Sequence, residues 1–311
     1  MQTVRTGPVA TIWDERYCTG AAPTNSTTKQ AEVVREAAAL GLLDQRPWSF
    51  NRAVAWAGIE KVHDAAYARA VRTGMPKALA ESEGFTWSPA FADSVVRIWA
   101  GHAAACRLAL EAGTVIHPVS GAHHARRARG GGFCTFNFLV GAGRALLDAR
   151  AVHRVAIVDL DAHQGDGTWE LAAGDERFGI FDIAGDDWIG ERRSDRAMMA
   201  VVDRAKAYAD ALAGLPAFLD RVRPGLVQLQ AGMDCHQDDP IGGIAGVDAD
   251  FLAWRDRYVL QEVRRREIPV VINLAGGYQR DGKTVALHVE TLRAAAMLRG
   301  CAPARCAAAG G

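Results

Sequence analysis

The chain has 311 residues, 36 Lys plus Arg balanced by 36 Asp plus Glu, and 49% hydrophobic residues. That apolar fraction supports a sizeable core, while the balanced charge offers no bulk positive field for nucleic acid or an anionic membrane, so neither is expected as a partner. The cysteines at 18, 106, 134, 235, 301 and 306 form no CxxC pair, and no apolar run has the length of a signal peptide or membrane span, which predicts reduced thiols in a soluble, cytoplasmic protein.

In chain order, the N-terminal third reads as mostly helical, with segments at Lys29 to Leu43, His63 to Arg72 and Ala90 to Ala112. From about residue 114, short β-branched runs alternate with amphipathic stretches, the pattern of βαβ units and a mainly parallel sheet. The expected strands are Thr114 to His117, Val155 to Leu160, Phe178 to Ile183, Leu226 to Gln230 and Pro269 to Leu274. The expected helices between them are Phe138 to Ala149, Met198 to Val222, Asp248 to Arg265 and Lys283 to Arg299. No repeat and no Pro/Ser/Gly-rich linker interrupts the chain. A single α/β domain over residues 1–311 is expected, with a frayed Ala- and Gly-rich tail at 301–311.

Four expected strands run into loops dense in His, Asp or Gly: SGAHHA, DLDAHQGDG, AGMDCHQDDP and AGGYQRD. In a parallel sheet such loops leave the same carboxyl edge, where open α/β folds bind ligands. Topology thus gathers Asp161, His163 and Asp234, two carboxylates and an imidazole suited to a divalent transition metal with positions left for water and substrate. His123 and His124 follow another strand and could move protons, oriented by Asp159 and Asp166. Gly276-Gly277-Tyr278 puts a phenol on a tight turn, where its hydroxyl could donate to a developing oxyanion.

Other residues read more plainly. His63, His102, His117, His153 and His288 are expected in the core or on the surface, His236 as a loop hydrogen-bonding residue, and Asp238-Asp239-Pro240 as a capped turn. Gly130 to Gly132 lacks the Lys-Ser/Thr ending of a phosphate cradle and reads as a flexible turn. Cys134 and Cys235 raise the rival of a thiol nucleophile, which would leave Asp161 and Asp234 without a task.

Taken together, HHA with GFC ten residues on, D-x-D-x-H-x-G-x-G-T, A-G-x-D-x-H-x-x-D-P-x-G-G and G-G-Y resemble the zinc-dependent histone deacetylase and acetylpolyamine amidohydrolase family, over roughly residues 60 to 297. The resemblance implies a three-layer arginase/deacetylase-like fold. It also implies metal ligation by Asp161, His163 and Asp234, the pairings His123 with Asp159 and His124 with Asp166, and Tyr278 as hydrogen-bond donor. Phe133, with Gly132, Gly276 and Gly277, would line an acyl-lysine-like tunnel, and a structural K+ would bind around Asp159, Asp161 and His163.

Gln164 stands where many members carry a second histidine, HPVSGAHHA replaces the usual Arg-Pro-Pro-Gly lead-in, and residues 1–60 diverge. The implied activity is removal of an acyl group, acetyl first, from an amine, using Zn2+ or Fe2+, which this donor set suits alike. A small-molecule acylated amine is favoured over acyl-lysine in a histone. The competing readings are an arginase-type ureohydrolase, which needs two manganese ions and more carboxylates, and a non-catalytic acyl-amine binder.

Overall fold

A computed structural model describes residues 7–19 and 24–298; the tail expected at 301–311 lies outside the described residues. Nine strands form one sheet: β1 (Val9–Thr11), β2 (Leu43–Gln45), β3 (Thr114–Ile116), β4 (Val155–Asp159), β5 (Phe178–Ala184), β6 (Arg192–Arg193), β7 (Ala197–Val201), β8 (Leu226–Gln230) and β9 (Val270–Asn273). Their order is β2-β1-β3-β9-β8-β4-β5-β7-β6, parallel throughout except for the edge pair β6 and β7.

The central strands carry continuous apolar runs because both faces are covered. Every residue of β4, β5, β8 and β9 is buried. Successive side chains point to opposite faces, so Val155 and Ile157 join one apolar cluster while Ala156 and Val158 join another. The helices are α1 (Lys29–Ala39), α2 (Arg52–Ile59), α3 (Ala65–Thr73), α4 (Lys77–Ala80), α5 (Pro89–Ala112), α6 (Phe138–Asp148), α7 (Asp166–Ala172), α8 (Ala205–Leu212), α9 (Leu215–Val222), α10 (Ala249–Arg265) and α11 (Lys283–Leu298). Residues of α2, α3, α5 and α6 fill the first cluster and those of α1, α8, α9, α10 and α11 the second, which makes three layers.

The register aligns the strand ends. Asp159 pairs with Asp182 of β5 on one side and Gln230 of β8 on the other, and Gln230 pairs with Asn273 of β9. The loops after β4, β8 and β9 therefore leave side by side at the carboxyl edge. Side-chain caps fix where the flanking helices begin: Ser88 Oγ accepts from Phe91 N (3.1 Å) ahead of α5, and Asp248 Oδ1 from Phe251 N (2.9 Å) ahead of α10.

Three expectations are corrected. The stretch Met198 to Val222 is not one helix: its start is β7, paired with β5, and Gly214 separates α8 from α9. The first helix stops at Ala39, and Leu43 opens β2 after Gly41 (φ 67°), a left-handed turn that glycine adopts without strain. The helix expected from His63 starts at Ala65. Strands β1, β2 and β6 were not expected, being two or three residues long. No helix among the described residues is long and apolar enough to cross a membrane.

Ile157 is fully buried at the centre of β4. Ile157→Ala is expected to cost about 2–5 kcal/mol of stability in urea unfolding; a loss below about 1 kcal/mol would contradict this packing.

Candidate active site

The loop after β4 turns so that Asp161 and His163 face the loop after β8. Asp161 and Asp234 are 2% and 0% exposed, a burial that carboxylates tolerate only with compensating charge and hydrogen bonds. His163 Nδ1 lies 3.1 Å from Asp161 Oδ1 and 3.1 Å from Asp234 Oδ2. Backbone donors take the other oxygens: Gly276 N donates to Asp161 Oδ2 (2.7 Å) and Ala162 N to Asp234 Oδ1 (2.9 Å). One ligand atom from each of these three residues lies within 4.8 Å of the others, so they could hold one metal ion.

Electrostatics describe the same crowding. Burial and the neighbouring Asp161 raise the Asp234 carboxyl. Burial would also raise Asp161, but the His123 and His163 imidazoles hold it well below the carboxylate range. Burial opposes a charge on His163, yet its bonds to the two carboxylates raise it far above the ordinary imidazole value. A donor set with this excess of negative charge suits a divalent cation.

Beside it, His123 Nδ1 is 3.0 Å from Asp159 Oδ2, and His124 Nδ1 is 2.8 Å from Asp166 Oδ1. The two imidazoles diverge. Burial disfavours a charge on His123, but Asp159 and Asp161 push its pKa up to about 10. Burial and the charge of His123 push His124 down to about 4 despite Asp166. Asp166 is shared with Arg126, which also pairs with Glu170 at 3.1 Å.

Tyr278 reaches the site from the loop after β9. Its phenol stays protonated, since burial and the nearby Asp234 and Asp161 raise its pKa well above the usual value. A Cβ on Gly276 would overlap the Asp234 carboxylate, and one on Gly132 would overlap the His124 ring, so close backbone approach requires glycine at both. Gly277 has φ 134°. Phe133 adopts φ 64°, stacks on Phe85 with centroids 5.5 Å apart, and lies 5.9 Å from the Tyr278 ring.

Several contributors escaped the sequence reading. Lys29 of α1 is buried, and its Nζ donates to Ala275 O (2.7 Å) and Gly277 O (3.1 Å), holding the tyrosine loop. Asp239 caps its own turn through Ile241 N and Gly242 N, as expected, and also accepts from Tyr278 N at 2.7 Å. Arg255 of α10, fully buried, donates to Leu160 O (3.1 Å) and Gly232 O (2.8 Å), tying together the two loops that carry Asp161 and Asp234. Trp188, 56% exposed, sets its indole 5.2 Å from the His124 ring and 5.5 Å from His163. A lone Lys, Arg or Trp far away in sequence carries no motif, so no local signal marked them.

His63, His102, His117 and His288 are buried, His153 is exposed, and His236 Nδ1 accepts from Asp238 N at 3.1 Å. Gly130 to Gly132 forms a tight turn with a bridge from Gly131 to Cys134. Burial raises the Cys134 thiol well above its usual value and the Cys235 thiol to about 12, which removes the thiolate that a nucleophile requires.

A model of the histone deacetylase domain matches residues 24–187. An uncharacterized protein of Picosynechococcus sp. is 31% identical over 233 residues, covering 73% of this chain and 76% of that protein. The chain belongs to the histone deacetylase domain family. It is also similar to histone deacetylase 2 of Arabidopsis thaliana, with 32% identity over 197 residues, 60% of this chain and half the length of that protein. In three dimensions it is similar to an acetylpolyamine aminohydrolase from Burkholderia pseudomallei, with TM-score 0.72, 21% identity and coverage of 93% of this chain and 97% of that one. At that identity the likeness establishes the fold. The match from residue 24 corrects the expectation that resemblance begins near residue 60.

Glu83, whose backbone carbonyl accepts from Phe133 N (3.0 Å), is 2% exposed. Burial, opposed by nearby backbone N–H groups, lifts its carboxyl from 4.5 to about 7. The native state then keeps a proton that the unfolded chain has lost, so this group lowers stability as pH rises from 4.5 to about 7. Glu83→Gln is expected to gain stability over wild type between pH 5 and 8 in denaturant titrations; parallel stability curves would contradict it.

Proposed function

We propose that the chain is a metal-dependent amidohydrolase that removes an acyl group, acetyl first, from a linear amine. The observation that carries the reading is the convergence of Asp161, His163 and Asp234, two histidine–carboxylate pairs and Tyr278 at one strand edge. Asp161, His163 and Asp234 would hold Zn2+ or Fe2+. A divalent cation there supplies Lewis acidity toward a carbonyl oxygen and toward water.

The protein's own groups do the rest. His124, on the side facing Trp188 and Gly132, takes the proton from the attacking water and returns one to the leaving amine. His123, enclosed by Asp159 and with Nε2 3.7 Å from Asp161 Oδ1, supplies positive charge beside it. Tyr278 donates its hydroxyl hydrogen to the amide oxygen as charge grows there, which is stabilisation specific to the transition state. Phe133 on the Gly132 turn, Trp188, Gly276 and Gly277 border the approach.

Asp182 lies beside Asp159, buried, and its Oδ1 has no hydrogen-bond partner among the described residues. That oxygen, with backbone carbonyls around Asp159, Asp161 and His163, suits a structural K+. The ureohydrolase reading is disfavoured because Asp161, His163 and Asp234 are the one candidate ligand group among the described residues. The small-molecule acyl-amine reading over a histone rests on the sequence showing no basic or acidic tail of the kind that would recruit the protein to chromatin.

Acetylated polyamines and an acetyl-lysine amide are the substrates to test. Metal-loaded protein is expected to release acetate, chelator-stripped protein to lose nearly all activity, and Tyr278→Phe to lower kcat roughly 10²–10³-fold with metal content unchanged. Full activity after stripping, or in Tyr278→Phe, would overturn the mechanism; metal binding without turnover of any acyl amide would favour a non-catalytic binder.

A further inference from the structure

Gln164 follows the metal-site histidine in sequence but points the other way. Its side chain is fully buried, and its Oε1 accepts from two successive backbone N–H groups of the loop after β5, Trp188 N at 2.6 Å and Ile189 N at 2.7 Å. Its Nε2 has no hydrogen-bond partner among the described residues, so the side chain acts as an acceptor. The backbone completes the attachment: Gln164 N donates to Asp186 Oδ1 (2.9 Å), and Gly185 N donates to Ala162 O (2.7 Å).

These bonds join the loop after β4, which carries His163, to the loop that carries Trp188. The same loop is held further along by Gly190 N on Asp187 Oδ1 (2.9 Å) and by the Arg192 guanidinium on Ile189 O (3.2 and 3.3 Å), but none of these bonds is made at Trp188 itself. The Trp188 indole is more than half exposed, so burial alone does not hold it. Yet it stands 5.2 Å from the His124 ring at 38° and 5.5 Å from the His163 ring at 31°, tilted against each and spanning the two imidazoles. A carbonyl that accepts two consecutive N–H groups fixes the direction of the intervening peptide and hence the Cα–Cβ vector of Trp188.

We propose that Gln164 is a positioning residue: its side-chain carbonyl sets Trp188 against His124 and His163 as one wall of the substrate approach, and thereby determines affinity for an unbranched aliphatic amine chain. An indole wall contacts methylene groups along its face and favours a cationic centre further out. The wall makes the same contact with substrate and transition state, so its loss raises KM more than it lowers kcat. The kinetic part rests on the acyl-amine hydrolase reading; the placement of Trp188 by Gln164 does not.

The test compares wild type, Gln164→Met, Trp188→Ala and the double variant, all metal-loaded. Gln164→Met keeps side-chain length and volume but removes the acceptor. With an acetyl-lysine amide, Gln164→Met and Trp188→Ala are each expected to raise KM about 5- to 20-fold, with kcat changed less than threefold and metal content unchanged. The double variant is expected to resemble Trp188→Ala alone, because the first substitution acts through the second residue.

Independently of turnover, acrylamide quenching of Trp188 fluorescence is read by difference against Trp188→Phe in each background. Quenching is expected to rise in Gln164→Met. Additive effects in the double variant, a fall in kcat with KM unchanged, or unchanged Trp188 quenching would overturn the proposal. If wild type turns over no acyl amide while quenching responds as expected, the functional reading fails and the positioning role stands.

Discussion

Two carboxylates, Asp161 and Asp234, are held side by side away from water, and the architecture of the carboxyl edge answers that constraint. Uncompensated burial of two negative charges is costly, and like charges this close raise one another's pKa. His163 sits between them, and Gly276 N and Ala162 N each satisfy one carboxylate oxygen. The arrangement has negative charge to spare, and a divalent cation is the partner that such a donor set suits. Remove the geometry that holds these oxygens together and no other feature of the site retains a purpose.

That geometry is assembled from distant parts of the chain. The sheet register brings the ends of β4, β8 and β9 level. Arg255 of α10 then links the β4 and β8 loops through Leu160 O and Gly232 O, and Lys29 of α1 grips the β9 loop through Ala275 O and Gly277 O. Both cations are buried, and each donates hydrogen bonds to buried backbone carbonyls while placing positive charge near the acidic site. The N-terminal region is thus tied to the tyrosine loop by Lys29 and also by Asn25, whose Nδ2 donates to Gln279 O at 3.3 Å.

Much of this was legible in the sequence because the signals were local. Apolar runs ending in Asp, His or Gly gave strands and loops together, and four such loops on parallel strands could meet only at one edge. Asp161, His163, Asp234, the histidine pair and Tyr278 all follow from that logic. What escaped depends on tertiary partners. Met198 and Met199 read as helical because their periodicity merges with the helix after them, and pairing with β5 decided otherwise. Lys29, Arg255, Gln164 and Trp188 act through backbone carbonyls, N–H groups or a ring face, contacts that leave no spacing pattern in a single chain. Asp239 was read as a turn cap, and its second oxygen, bonded to Tyr278 N, came from the fold alone.

The most direct measurement follows the oxygen atom. Metal-loaded protein incubated with an acetylated amine in water enriched in oxygen-18, with the released acetate analysed by mass spectrometry, reports whether water attacks the amide. One labelled oxygen per acetate released, and none released by protein in which Asp161 and Asp234 are both Asn, is the predicted result. Acetate without label, or labelled acetate from the doubly substituted protein at the wild-type rate, would contradict hydrolysis at this site.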